Sequence, residues 1–360
     1  MSEHQNPRPV SNGQEISLAG RFLNPRTIIS LIVGGAFIYF IFTRLDVNLQ
    51  EMWRNIQSSN PVLYILALVS YYASFPLRGL RWRLLLGNIG LHREASKPLP
   101  SSFRLGGLIL ISWFVNCILY GRLGDAYRAY LVKEDTGGGS FSKAIGTVLA
   151  ERVLDMVVVF LLLLTVGVGL LHGATERTAA IVLGSAFGLV VLLVLIIVLM
   201  WRFGHRLRRR LPARFGSLYA LFHEGTLGSF RQIPLFIIIS LAVWALEIGR
   251  TYFVIQSLGF AVSLQMIVFV ALAQAMLTTL PITPGGLGLT EAGVAGVLML
   301  TLSREAAWSA TLVDRSIAYL SVVLFGLVLF LYRQLVLGRR HAATVAGVTG
   351  EPVTGARPEA

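Results

Sequence analysis

"LPITPGGLGLTEAGV", Leu280 to Val294, sets two prolines, four glycines and one carboxylate, Glu291, between long apolar runs. Pro284 suits the first turn of a helix, with Thr283 placed to cap it. Gly285, Gly286 and Gly288 let backbone approach backbone or ligand closely. Non-helical backbone at membrane depth is tolerated only against protein or a wet cavity. The stretch therefore reads as the tip of a re-entrant or broken helix, with Glu291 aimed into polar space. A tight helix crossing through small residues is the competing reading.

The surrounding chain makes membrane depth the right frame. Mean hydropathy is +0.70, with 55% hydrophobic and 14% charged residues in 360, far from soluble globular composition. The formal charge of +13 is placed beside apolar segments, at 78 to 104 and 202 to 214, which is the positive-inside pattern. "RRR" at Arg208 to Arg210 comes with no nucleic-acid module, so nucleic acid is not expected as a partner. One cysteine, Cys117, excludes an internal disulfide. The six histidines have no metal spacing, and no phosphate-binding or nucleophile-elbow motif occurs. No metal, cofactor or catalytic residue is expected, and the chain does not read as an enzyme.

Apolar runs suited to membrane helices occupy about 27 to 43, 61 to 77, 105 to 120, 145 to 171, 179 to 201, 233 to 258, 262 to 280, 285 to 300 and 306 to 333. The first begins behind Arg21 and Arg26 and lacks a cleavage site, so it reads as a retained span. Residues 1–22 and 341–360 read as disordered, and 23–335 as one transmembrane domain. If every run crossed fully, the Arg-rich 202 to 232 loop would fall outside, against the charge rule. The 105 to 120 run is only about 24 Å long at ~1.5 Å per residue. Read as a re-entrant hairpin, it restores parity and puts the Arg-rich loops and both termini in the cytoplasm. The pair 262 to 280 and 285 to 300 is a matching hairpin from the other side, or two full crossings; parity does not separate them. The expected fold is all-α and polytopic, with about six full spans and two re-entrant hairpins, or eight helices.

A weak repeat supports two halves, about 61–201 and 233–333. "YGRLGDAYRAYL" from Tyr120 and "PGGLGLTEAGVA" from Pro284 share G-x-L-G with an acid soon after. About thirty residues on, each is followed by an acid–Arg pair opening a long apolar helix, Glu151–Arg152 and Asp314–Arg315. Opposite orientation of such halves is the inverted-repeat architecture of many transporters.

Ionisable groups inside spans cost at least ~2.5–3.5 kcal/mol unless they face a partner or a cavity. Glu151 and Asp155 stack at i, i+4, and Glu247 and Arg250 are spaced to pair across one turn. Arg122, Asp125 and Arg128 recur every three residues at a helix start suited to a phosphate. Salt bridges that lock helices together are the plainer account; a hydrophilic path for a charged headgroup is the functional one. Candidate substrate-binding positions are these seven with Arg152, Gly285, Gly286, Glu291, Asp314 and Arg315.

"RGLRWRLLL" (Arg78 to Leu86), "GRLGDAYRAYLV" (Gly121 to Val132), "ERVLDM" (Glu151 to Met156), "LPITPGGLGLTEAGV" and "DRSIAYLSVVLFG" (Asp314 to Gly326), in that order, resemble the lysylphosphatidylglycerol synthase transmembrane, or flippase-like, family. The similarity runs over about 60 to 335. It implies movement of polar-headed lipids between leaflets, or work beside glycolipid and isoprenoid-linked sugar pathways. By motif match, Arg122, Asp125, Arg128, Glu151, Arg152, Glu291, Asp314 and Arg315 would line the site. Bifunctional members carry a soluble aminoacyltransferase domain, and none follows Arg340 here, so lysyl-lipid synthesis is not expected. The expected function is a plasma-membrane lipid translocase whose partners are lipids with anionic or phosphate-bearing headgroups. The alternative is a membrane enzyme or accessory subunit acting on a polyprenyl- or phospholipid, with Asp125 or Glu151 as general base. Cargo, direction and homo-oligomerisation stay open.

Overall fold

The computed structural model describes residues 48–170, a set of helical residues between 184 and 204, and residues 212–280 and 283–349. The expected first span at 27 to 43, much of 179 to 201 and the chain end from 350 lie outside them. The described residues are helical and contain no strand, so the chain is an all-α membrane protein. Twelve α-helices carry the argument, numbered here in chain order.

Helix α1 (Leu49–Gln57) is short and amphipathic. Helix α2 (Pro61–Asn88) starts at a proline behind Asn60, whose side chain accepts the N–H groups of Val62 and Leu63. A four-residue α3 (Leu91–Glu94) leads to α4 (Ser102–Ile118), a 3₁₀ turn at Tyr120–Arg122, and α5 (Leu123–Thr136). Helix α6 (Phe141–Leu170) follows, then α7 (Ala213–Leu227) and α8 (Ile233–Ser257). Next come α9 (Leu264–Thr279), a 3₁₀ turn at Pro284–Gly286, and α10 (Leu289–Leu298). Helix α11 (Arg304–Arg315) continues through one π-helical segment, Ser316–Ser321, into α12 (Val322–Thr349).

Side-chain contacts fix the direction of each helix. Asn60 N–H donates to the Ser257 carbonyl (2.7 Å) and Asn88 to the Ser229 carbonyl (3.3 Å), so α2 and α8 run antiparallel along their whole length. One face of the bundle thus holds residues 88–102 and 227–233, with Arg83, Arg93 and Lys97; we call it the arginine-rich face. Helix α6 leaves from the same face, where Lys143 joins Glu94 and Glu224 (2.5 and 2.7 Å). The α11–α12 rod starts on the opposite face, where Ser309 meets Asn55 and the Met52 carbonyl. It ends on the arginine-rich face, where Arg333 pairs with Glu134 and Asp135 (3.0 and 2.7 Å). Among the described residues, α2, α8 and the α11–α12 rod are long and apolar enough to cross a membrane.

The two short pairs do not cross. At the tip of the α4–α5 pair, Gly124 N–H donates to Asn116 (2.8 Å); at its open end, Arg104 pairs with Asp135 (2.8 Å). The chain therefore goes in and returns to the arginine-rich face, and α4, with 17 residues, reaches only about 25 Å at ~1.5 Å per residue. Helix α10 has 10 residues, about 15 Å, half the ~30 Å hydrocarbon core. It follows α9 back to the opposite face, where α11 begins. Hairpins thus enter from opposite faces, which resolves the choice left open for 262 to 300.

Three expectations need correction. The segment 61 to 77 is not the whole second span: α2 continues through Arg78 and Arg81 to Asn88. Both arginines are buried because carboxylates from α6 and α8 receive them. The tail expected to be disordered from 341 is helical as far as Thr349. Thr283 does precede the turn at Pro284, but makes no side-chain cap bond there.

Glycine sets a close crossing between α2 and α4. A methyl on Gly79 would strike the Ser102 carbonyl and lie 2.6 Å from the Gly106 nitrogen, while one on Gly106 would lie 2.7 Å from the Phe75 carbonyl. Small residues let α2 and α4 touch backbone to backbone. Gly79→Ala is expected to cost about 1–3 kcal/mol of stability. Gly107→Ala, where a methyl would meet open space, is expected to be neutral; equal thermal midpoints in detergent for the two variants would refute the crossing.

Candidate functional site

The hairpin tips meet in the middle of the bundle. Gly121 (φ 80°) and Arg122 (φ 54°) bend one tip; Gly285 (φ 59°), Gly286 (φ 74°) and Gly288 (φ 82°) bend the other. Among the described residues Arg122 is the only non-glycine with positive φ, a conformation costing ~1–3 kcal/mol unless its surroundings hold it. They do: its Nη1 donates to the Thr278 carbonyl of the other hairpin (2.9 Å) and its Nε to Asp125 (3.3 Å). Arg315 donates back to the Gly285 carbonyl (3.0 Å), and Tyr319 Oη to the Cys117 carbonyl (3.0 Å).

Around these tips lies a polar cavity of about 150 Å³. Seven of the sequence candidates line it: Arg122, Arg152, Asp155, Glu247, Arg250, Gly285 and Arg315. The walls hold five arginines, Arg78 included, against two carboxylates. The surplus is positive, in a setting where each charge is costly to bury.

The remaining candidates stand behind the wall and hold it. Asp125 accepts from Arg152 (3.0 and 3.1 Å) and Arg122, with Arg128 Nε 3.8 Å away. The anion at this helix start is thus the protein's own Asp125, and the Gly124 N–H is already taken by Asn116. Glu151 receives Arg81 (2.9 Å) and lies 2.9 Å from Arg128. Asp314 accepts from Arg250 and from Gln274 Nε2 (2.7 Å). Gly286 packs against Thr290 and Thr278.

Glu291 departs from its expected role. It is buried, accepts the Gly288 N–H (2.6 Å) and Arg315 Nε (2.6 Å), and does not line the cavity. A carboxylate three residues into a helix reaches back to the open N–H at its start. That local bond, with an arginine one helix away, takes up both oxygens.

Sequence reading missed the central cations. Arg81, fully buried, forks onto Asp155 (2.5 and 2.9 Å), Glu151 and Ser240 Oγ (2.6 Å). Arg78 pairs with Glu247 (2.6 Å). The signal was present: Tyr71, Ser74, Arg78, Arg81, Trp82 and Leu85 recur at helical spacing and form one buried face. Three wall arginines also lie over aromatic rings, Arg78 on Trp113 (4.8 Å), Arg250 on Tyr71 (5.4 Å) and Arg315 on Tyr319 (4.8 Å).

Removing one partner from such a network leaves buried charge uncompensated. Asp125→Asn is expected to cost about 3–5 kcal/mol, because three arginines converge on it. Arg104→Ala, at the exposed end of the same hairpin (side chain 53% exposed), is expected to cost at most about 1 kcal/mol. Thermal unfolding in detergent separates them, and equal losses would overturn this reading of the network.

The chain matches the lysylphosphatidylglycerol synthase TM region over residues 27–326. It is 32% identical to a UPF0104 membrane protein of Methanocaldococcus jannaschii over 60% of this chain and 93% of that one. A UPF0104 membrane protein of Pyrococcus horikoshii is 27% identical over 74% of this chain and 86% of its own length. The glycosyltransferase AglD of Haloferax volcanii is 27% identical over 76% of this chain but 49% of its own. A match across so much of the membrane portion, hairpins and charged helices included, makes this protein a member of the lysylphosphatidylglycerol synthase transmembrane family.

Proposed function

We propose that this protein is a lipid translocase of the cell membrane, moving a phospholipid or isoprenoid-linked lipid with an anionic headgroup between leaflets, its arginine-rich face and both termini on the cytoplasmic side. One observation carries the reading: two hairpins from opposite faces meet at a polar cavity whose walls hold five arginines and two carboxylates. A guanidinium offers paired N–H groups that fit phosphate oxygens and keeps its charge at any physiological pH. A headgroup in the cavity exchanges its water for these donors while its chains stay in hydrocarbon. The carboxylates behind the wall keep the empty cavity from carrying the full repulsion of its arginines.

The second reading, a membrane enzyme or accessory subunit acting on a polyprenyl- or phospholipid, draws on the similarity to AglD, a protein named as a glycosyltransferase. Covalent turnover of a labelled lipid by the purified protein would favour it.

Proteoliposomes holding headgroup-labelled phosphatidylglycerol test the first reading, with dithionite quenching the outer leaflet. Wild type is expected to expose inner-leaflet label. Arg152→Gln is expected to slow exposure about tenfold, the kinetic equivalent of one charge-assisted hydrogen bond. Asp125 keeps Arg122 and Arg128 in that variant, and its thermal midpoint in detergent, measured alongside, separates a slowed path from a lost fold. An Arg152→Gln rate equal to wild type would count decisively against the cavity as the path.

A further inference from the structure

A second cavity, about 580 Å³, lies outside the polar one, between the outward face of α5, the start of α6 and α7. Its floor is one helical stripe, Leu123, Ala126, Tyr127, Tyr130 and Lys133, facing Leu218 and Leu221 of α7. Most of the stripe is apolar, and Leu123, Tyr130 and Leu218 are well exposed. Three features identify what fills it.

The first is length. From Lys133 to Leu123 the stripe runs ten residues, about 15 Å at ~1.5 Å per residue, the depth of one leaflet's hydrocarbon. It starts at the arginine-rich face and ends at the hairpin tip. The second is charge. Exposed Lys133 stands at the mouth beside Ser140 and Ser142, and α7 follows closely in sequence on Arg206, Arg208, Arg209 and Arg210. The third is continuity: Leu119, the residue before the hairpin tip, belongs to the walls of both this groove and the polar cavity.

We propose that this groove holds a phospholipid of the leaflet at the arginine-rich face, its anionic phosphate at Lys133 and one chain along the α5 stripe, and that it is the lateral entrance to the polar cavity. The groove as a lipid site stands on its own geometry; its role as an entrance rests on the translocase reading. The headgroup passes inward along α5 toward Arg122 while the chain remains in the groove, so no charge crosses bare hydrocarbon.

The test uses the full chain in vesicles containing a phosphatidylglycerol probe with a diazirine at the end of one acyl chain, and a phosphatidylcholine probe as comparison. Photolabel is expected on the peptides bearing Tyr127, Tyr130 and Leu218, with the phosphatidylglycerol probe favoured. Lys133→Gln, an exposed change, is expected to weaken that labelling about fivefold, the loss of one surface cation. Ala126→Trp, which fills the groove, is expected to abolish it. Label spread evenly over the lipid-facing helices, or unchanged in Lys133→Gln, would overturn the site. Loss of label in Ala126→Trp with translocation at the wild-type rate would overturn the entrance while sparing the cavity. Groove labelling in a wild-type protein that moves no lipid would support the site and remove the translocase reading instead.

Discussion

Where a helix breaks at membrane depth, its backbone groups must find partners inside the protein, because hydrocarbon offers none. Two helices break here, and each supplies what the other lacks. The carbonyl of Thr278 in one hairpin takes Arg122 from the other. On the return side, Arg315 and Tyr319 of the long rod bond Gly285 and Cys117, one residue from each hairpin. Neither tip can be displaced without stranding polar atoms of its counterpart, so the two hairpins are one structural unit although about 160 residues separate them.

The electrostatics follow from the same unit. Arg81, Glu151 and Asp155 join α2 to α6, while Arg78, Glu247, Arg250 and Asp314 join α2 and α8 to the long rod. Buried pairs of this kind add little net stability against apolar replacements, yet breaking one is expensive. Retaining so many is therefore poorly explained by stability alone. Their distribution is more telling: the wall holds five arginines against Asp155 and Glu247, while Asp125, Glu151, Glu291 and Asp314 stand behind it with Arg81 and Arg128. The arrangement sets the sign of the cavity while keeping the surrounding protein near neutrality.

Much of this was legible in the sequence because the residues involved break strong local rules. Prolines, glycines and a carboxylate in an apolar run read as a broken helix, with a tight small-residue crossing as the competitor, and a 105 to 120 run that turns back was what satisfied the charge rule. Paired spacings at Glu151 and Asp155, and at Glu247 and Arg250, were likewise readable on one helix. What was not legible depends on helices far apart in the chain. Arg78 and Arg81 resembled orientation-setting charges at the end of a span, and only the carboxylates on α6 and α8 reveal them as core residues. Glu291 differs in kind: its spacing from Gly288 already allowed a local cap, and that short-range bond, with Arg315, holds its carboxylate away from the cavity.

Half-helices ending in a membrane commonly present their dipoles to a ligand, positive ends toward anions and carbonyl ends toward cations. Four such ends converge here, and each bears a protein group. The carbonyl ends of α4 and α9 receive Tyr319 and Arg122; the amide ends of α5 and α10 are met by Asn116 and Glu291. One group at each end is engaged in this way, and on the translocase reading proposed above the wall arginines, which face the cavity directly, would supply the selectivity. A guanidinium is a directional, paired donor, so such a site should discriminate by the geometry of the headgroup's oxygens as well as by net charge. Phosphodiester oxygens meet both demands, and a zwitterionic headgroup adds a cation that the arginine surplus would repel. On that reading the broken helices act as frame, and recognition would pass to the side chains they place.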